Sequence, residues 1–166
     1  GDPNPDLIFG LQFTCDFKGF SFLINANGKT GQQIAKSYRS FADSPRQNYT
    51  SDVYRRWHGE GTSDKYPRLT FKTHNNMLYI SDIYFEDGDF VKISNITLGY
   101  DFKQLLKNFP VEQLRLYVTA KNILTFTKYS GMDPEVGYGP DPWSTGIDLG
   151  LYPSCKTYMV GLNVKF

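Results

Sequence analysis

Few residues of this sequence are spaced for joint chemistry. The two cysteines, Cys15 and Cys155, lack metal-ligand spacing. They fall at opposite ends of their predicted strands and are read as free thiols. His58 and His74 are isolated. The densest acidic run, Glu86-Asp87-Gly88-Asp89, loosely resembles a calcium loop, but it lacks the alternating oxygen ligands and the terminal Glu that such a loop needs. It is expected to be a turn entering a strand. Asn48-Tyr49-Thr50 and Asn95-Ile96-Thr97 fit the glycosylation sequon, the second within a predicted strand. No nucleophile–base pair, phosphate loop or paired carboxylate is evident, so no catalytic residue, metal site or cofactor is expected and the chain is not read as an enzyme. What remains is aromatic: Trp57, Tyr138, Trp143 and Tyr152 fall in predicted loops. Flat rings of this kind stack on sugars, pack against a partner, or pack within their own loop, which is their commoner use. Trp57, Tyr138 and Trp143 are the candidate ligand contacts.

The elements that would position these side chains are strands. Over residues 7–17 every odd position is apolar (Leu7, Phe9, Leu11, Phe13, Cys15, Phe17), while Gly10, Gln12, Thr14 and Asp16 alternate with them. A period of two places the two sets on opposite faces. Lys18-Gly19 is a two-residue hairpin turn in which Gly19 supplies a positive φ. The returning strand, 20–27, sets Phe20, Phe22, Ile24 and Ala26 against Ser21, Asn25 and Asn27, with Leu23 as the exception. In 90–102, Ile96, Leu98, Tyr100 and Phe102 alternate with Asn95, Thr97, Gly99 and Asp101, but Val91-Lys92-Ile93 is out of phase, which predicts a bulge near Ser94. In 114–126, Leu114, Leu116, Val118, Ala120, Leu124 and Phe126 oppose Arg115, Tyr117, Thr119 and Lys121, with Asn122 as a polar breach. In 155–166, Tyr158, Val160, Leu162, Val164 and Phe166 oppose Thr157, Met159, Gly161, Asn163 and Lys165. Residues 28–89 read as a long loop with a short strand at Leu78-Tyr79-Ile80, and 127–153 as a second long loop. Gln104-Leu105-Leu106-Lys107 reads as one helical turn before Pro110.

Composition narrows the class. A net charge of +1 with 21% charged residues argues against a nucleic-acid partner. Aromatics make up 16% of the 166 residues, which suits strands and membrane interfaces. The mean hydropathy is −0.44, and the sequence contains no apolar run of the roughly 20 residues that a membrane helix needs. The first residues carry no initiator Met, basic stretch or apolar stretch, so a signal peptide is expected to have been removed or to belong to a longer chain.

The predicted strands are about ten residues long, which matches a tilted membrane-crossing strand. Their connections alternate short, long, modest, long, as in barrels with short periplasmic turns and long extracellular loops. The apolar faces carry no charge, whereas Asp16, Asp101, Arg115, Lys121 and Lys165 suit a wet lumen. Phe17, Phe20, Tyr100, Phe102 and Tyr158, near strand ends, would form an aromatic girdle. The expected fold class is all-β, with antiparallel up-and-down strands forming about five strands of a transmembrane barrel. The alternative is a soluble β-sandwich acting as a carbohydrate-binding or interaction module, which predicts more strands and closer turn signals.

A series of segments adds a resemblance. In order they are Gly1-Asp2-Pro3-Asn4-Pro5-Asp6; Phe17-Lys18-Gly19-Phe20; Arg56-Trp57-His58-Gly59-Glu60-Gly61-Thr62-Ser63; Ser81-Asp82 with Glu86-Asp87-Gly88-Asp89-Phe90; Asn95-Ile96-Thr97-Leu98-Gly99-Tyr100; Ala120-Lys121-Asn122-Ile123-Leu124-Thr125-Phe126-Thr127-Lys128-Tyr129; Asp133-Pro134-Glu135-Val136; and Tyr158 to Phe166. Over nearly its whole length the chain resembles the C-terminal region of SusC/RagA-type TonB-linked outer-membrane proteins. The resemblance implies a barrel of about 22 strands closed by an N-terminal plug. It also implies uptake of glycans or peptides with energy from the TonB complex, a SusD-like lipoprotein as external cap, and a place in the outer membrane of a Gram-negative bacterium. Residues 1–166 would form the last five strands, in contact with membrane lipid and with the remaining barrel and plug of the full-length protein. Tyr158, Gly161, Leu162, Val164 and Phe166 would be the barrel-assembly signal, read by the assembly machinery through edge pairing.

Overall fold

The computed structural model describes residues 1–38, 51–69, 81–105, 110–135 and 144–166. Among them eight strands follow in chain order: β1 Leu7–Phe17, β2 Phe20–Thr30, β3 Gln33–Lys36, β4 Phe85–Asp87, β5 Phe90–Asp101, β6 Gln113–Thr127, β7 Ile147–Asp148 and β8 Thr157–Lys165. The helical pieces among the described residues are short 3-10 segments at Ser51–Arg55, Asp82–Tyr84 and Phe102–Gln104. The chain divides into two compact units.

The first unit comprises Pro5–Thr30, Asp89–Lys128 and Pro153–Phe166. It holds one five-stranded sheet in the order β1-β2-β5-β6-β8, with every neighbouring pair antiparallel. Sheet order follows chain order, which is the up-and-down arrangement. The register joins the apolar positions of all five strands into one face: Phe13 pairs with Ile24, Ile24 with Ile96, Ile96 with Ala120, and Ala120 with Tyr158. At the β1–β2 turn both Lys18 (φ 45°) and Gly19 (φ 87°) are left-handed. Two positive φ values define a type I′ hairpin, whose twist matches the flanking strands. The left-handed conformation costs Lys18 roughly 1–2 kcal/mol, offset by a ladder running unbroken from Leu7↔Thr30 to Phe17↔Phe20.

The phase change in β5 is a bulge at Ser94. Asn25 pairs with Asn95 but Ala26 pairs with Ile93, so Ser94 is the extra residue. β6 slips at the same height, where Asn95 pairs with Lys121 and Ile93 with Leu124. This double slip returns Val91 and Ile93 to the face of Ile96 and Leu98. It also corrects the reading of Asn122 as a breach of the apolar face. Asn122 stands in the bulge, outside the alternation, with φ 54°, and its Nδ2 donates to the Cys155 carbonyl oxygen at 3.0 Å.

Strand ends differ from expectation by a few residues. β2 runs on to Thr30 and β8 starts at Thr157. β5 stops at Asp101 because its Oδ1 accepts from the Lys103 amide at 2.9 Å and begins the Phe102–Gln104 turn. This 3-10 turn overlaps only the start of the helical turn expected at Gln104–Lys107. Leu106 and Lys107 fall outside the described residues.

The sheet has no packed core on its apolar side. The buried apolar residues among those described are Ile34, Phe90, Val111 and Tyr129, whereas Leu98 is 52% exposed, Val118 47% and Val160 74%. A sandwich would cover these positions, so the soluble alternative does not describe this sheet.

The second unit comprises Gly1–Asn4, Gly31–Gly88 and Tyr129–Tyr152. Its three-stranded sheet has the order β4-β3-β7, with β3 antiparallel to β4 and parallel to β7. The two connections read as loops thus each supply strands to a common small sheet, which corrects that reading. Strands of four, three and two residues are too short to show a period. The strand expected at Leu78-Tyr79-Ile80 lies outside the described residues.

Candidate functional site

Alternation sends Ser21, Asn25, Thr97, Arg115, Tyr117 and Thr119 to the polar side of the sheet, and hydrogen bonds join two pairs of them across strands. Thr97 Oγ1 and Thr119 Oγ1 are 2.9 Å apart, and Arg115 Nη2 donates to Ser21 Oγ at 2.7 Å. Arg115 spans the intervening strand because Gly99 lies beneath it: a Cβ there would stand 2.9 Å from Arg115 Nε. Tyr117 uses its register partner Gly161 in the same way, since a Cβ on Gly161 would overlap the phenol ring. Towards the hairpin this side forms a concavity of about 870 Å³, whose charged lining is Asp16, Lys18, Asp101, Lys103 and Arg115. Such a wall offers donors, acceptors and both signs of charge to water or a polar solute.

The opposite side carries no Asp, Glu, Lys or Arg at any alternating position. A contiguous exposed apolar surface of this kind marks contact with a membrane or another protein. At the hairpin end its aromatics meet: the Phe20 and Tyr100 ring centroids are 4.5 Å apart, and Phe102 meets Tyr100 edge-on at 5.0 Å. Phe17 pairs with Phe20 in the register. Tyr158 does not join them, because it pairs with Ala120, four residues along β6 from the Tyr100 partner Leu116.

The expected assembly residues all lie on or next to β8. Tyr158, Leu162 and Val164 are on its apolar side, Gly161 is on its polar side beneath Tyr117, and Phe166 follows the strand, 87% exposed. The structure lines them along one sheet edge and gathers none into a pocket. Of the candidate ligand contacts, Trp57 is 40% exposed, and its amide donates to the Tyr66 carbonyl oxygen at 2.9 Å. The Tyr66 ring in turn lies 5.1 Å from Arg55 Cζ and 5.7 Å from Lys65 Nζ. Trp57 therefore belongs to a self-bonded loop that leaves part of its ring uncovered. Tyr138 and Trp143 lie outside the described residues. Cys15 and Cys155 are exposed, unpaired thiols.

Sequence reading missed a buried polar cluster in the second unit. Tyr129 Oη donates to Asp148 Oδ2 at 2.5 Å, and the Gly150 amide donates to Oδ1 at 2.8 Å. Lys36 Nζ donates to Ser130 Oγ at 2.8 Å, while the Ser130 amide and hydroxyl each donate to Glu86 at 2.8 Å. Lys36, Tyr129 and Asp148 are all buried. Burial first, and then the Asp148 carboxylate, push the Tyr129 phenol well above its ordinary pKa of 10.0, so the phenol stays protonated. The cluster clasps segments from distant parts of the chain, and that dispersal is why no local motif revealed it. Glu86, from the run that loosely resembled a calcium loop, is spent on Ser130. Among the described residues no group of three or more potential ligands could hold a metal ion.

No family model matches the chain. Curated relatives do. The TonB-dependent receptor P3 of Formosa agariphila is 31% identical over 172 residues, covering 100% of this chain and 17% of the relative. SusC, a TonB-dependent receptor of Bacteroides thetaiotaomicron, is 28% identical over 166 residues, covering 99% of this chain and 15% of its own length. The chain thus spans about a sixth of the relatives it matches. These relatives are receptors, not enzymes. Among solved structures, the RagAB peptide transporter matches with a TM-score of 0.79 at 22% identity, covering 99% of this chain and 17% of the matched chain. The RagAB peptide importer in its closed-closed state matches with a TM-score of 0.78 at 23% identity, covering 99% and 18%. The sheet's order, its uncovered apolar side and these likenesses converge: the chain is a segment of the outer-membrane β-barrel of a TonB-dependent receptor of the SusC/RagA type.

Proposed function

We propose that residues 1–166 form a C-terminal, five-stranded wall of a TonB-dependent transporter that imports oligosaccharides or peptides across the outer membrane together with a SusD-like lipoprotein. One observation carries this reading: a single sheet with a charge-free, exposed apolar side and a charged, hydrogen-bonded polar side, in a chain that matches TonB-dependent receptors along its length. Lipid covers the apolar side and the polar side lines the passage. The Lys18-Gly19 turn and the connection after β5 face the periplasm, and the two long excursions face outward. There Trp57, Tyr138 and Trp143 contact solute or the lipoprotein. The remaining barrel and the plug close the pore, and the TonB complex acts through the plug. Tyr158, Gly161, Leu162, Val164 and Phe166 are the strand that the assembly machinery pairs with. In this reading the chain serves as barrel wall and not as an enzyme.

The test is a deletion of the full-length gene, complemented by the intact gene, with growth measured on defined oligosaccharides and defined peptides as sole nutrients. Loss of growth on one class, restored by complementation, is expected and names the solute class. Unaltered growth and uptake on every nutrient of both classes would overturn the reading.

A further inference from the structure

Four stems meet at the three-stranded sheet of the second unit: the two ends of the excursion between β2 and β5, and the two ends of the excursion between β6 and β8. Their bonds form a closed circuit. At the start of the first excursion β3 pairs with β4, at its end, and the Gly88 amide donates to the Gln32 carbonyl oxygen at 2.9 Å while Gln32 Nε2 donates to the Gly88 carbonyl oxygen at 2.8 Å. Glu86, on β4, accepts from both the amide and the hydroxyl of Ser130, at the start of the second excursion, at 2.8 Å each. Beside Ser130, Tyr129 Oη donates to Asp148 Oδ2, near the end of that excursion. Asp148 lies on β7, which returns to β3: the Ala35 amide donates to the Gly146 carbonyl oxygen at 2.7 Å and the Ser37 amide to that of Asp148 at 2.9 Å. Lys36 spans the circuit, donating to Ser130 Oγ at 2.8 Å with Glu86 Oε1 at 4.0 Å.

Little apolar burial holds this unit together. Among its described residues the buried hydrophobic side chains are Ile34 and Tyr129, whereas Gln32, Lys36 and Asp148 are buried and polar or charged. A buried charge or amide stripped of its partner stays out of reach of water and costs more free energy than the bond itself contributes. Releasing a single stem strips Gln32, Lys36 or Asp148 of a partner on another stem while leaving it enclosed. Opening all four stems returns every one of these groups to water and avoids that cost. Partial opening is therefore disfavoured against complete opening. We infer that the four stems open as one cooperative unit, so that the two excursions are held and released together. The consequence for a transporter rests on the reading above that both excursions face outward: a contact that holds one of them also holds the other.

The test is hydrogen exchange of the full-length receptor in detergent micelles, read by mass spectrometry on peptides from each stem. In the unmodified receptor, peptides covering 32–37, 85–88, 129–131 and 147–150 should share one protection factor within about threefold. Tyr129→Phe keeps the aromatic ring and removes one link of the second excursion. It should speed exchange at 32–37 and 85–88, in the first excursion, roughly tenfold and by the same factor as at 147–150. Glu86→Gln, in the first excursion, should likewise speed exchange at 147–150 as much as at 85–88. Heat modifiability shows that a variant keeps its barrel, and the unmodified receptor alone is decisive where a variant does not. Protection that differs widely among the four stems, or acceleration confined to the excursion that carries the substitution, would overturn the inference. The transport reading has its own readout: deletion can abolish growth on a nutrient while the two excursions open independently.

Discussion

Ala120 and Lys121 are adjacent on β6 and point to opposite sides of one sheet, so they offer a controlled comparison of its two surroundings. Ala120 pairs with Ile96, four residues beyond the Leu116–Tyr100 pair that belongs to the aromatic row. At a rise of about 3.4 Å per residue that is roughly 14 Å along the strand, and a tilt of about 45° makes it roughly 10 Å of depth. The apolar band of such barrels is about 25 Å tall, which puts Ala120 close to the midplane. A Lys there is expected to cost about 2–4 kcal/mol, a shift of roughly 30- to 800-fold in the folding equilibrium. The native Lys121, one residue away and exposed on the polar side, bears the same charge at the same depth. Lys121→Ala should therefore change stability by about 0.5 kcal/mol or less. The assay is folding of the full-length receptor into lipid vesicles, titrated with denaturant and followed by heat modifiability. Equal costs for Ala120→Lys and Lys121→Ala, or none for Ala120→Lys, would refute the assignment of lipid to one side and water to the other.

Two further outcomes are expected. Gly161→Val should cost about 1–3 kcal/mol, because its Cβ overlaps the Tyr117 ring. Tyr117→Ala in the same background should recover much of that loss, whereas simple addition of the two effects within about 0.5 kcal/mol would show that the ring does not use the glycine slot. Phe166→Asp should lower the folded receptor in the outer membrane several-fold in cells while leaving refolding into vesicles nearly intact; an unchanged cellular yield would remove Phe166 from the assembly signal.

The parts of the fold legible in the sequence are those with a long period. Apolar residues at every odd position of β1, with Ile8 the one large apolar residue at an even position, announce one apolar side, and the phase change at Val91-Lys92-Ile93 announces the bulge at Ser94 because a slip of one residue exchanges the sides. Asn122 was misread because the compensating slip on β6 leaves no apolar residue out of phase; its left-handed φ is visible only in coordinates. The β3, β4 and β7 strands were illegible because pairing between Ala35 and Ile147, 112 positions apart, depends on where both excursions return rather than on any local pattern. The same holds for the clasp of Lys36, Glu86, Ser130, Tyr129 and Asp148. Trp57 was recognisable as a loop aromatic, but its backbone bond to Tyr66, which makes the loop self-supporting, was not.

Glycines inside the strands explain how a single-layer sheet fixes its register without a core. Gly in a strand forfeits side-chain packing and carries an entropic cost, so its presence needs a local return. Three strand glycines here sit under a large side chain of a neighbouring strand. Gly28 lies under the Phe9 ring on the apolar side, while Gly99 and Gly161 lie under Arg115 and Tyr117 on the polar side. Phe9 with Gly28 and Tyr117 with Gly161 are also direct register partners. A slip of one residue in either pair would set a side chain against a Cβ and turn the apolar side inward at once. Lateral packing over a missing Cβ thus does for this sheet what face-to-face packing does for a sandwich. It leaves one side free for lipid and holds the polar groups of the other side at fixed positions.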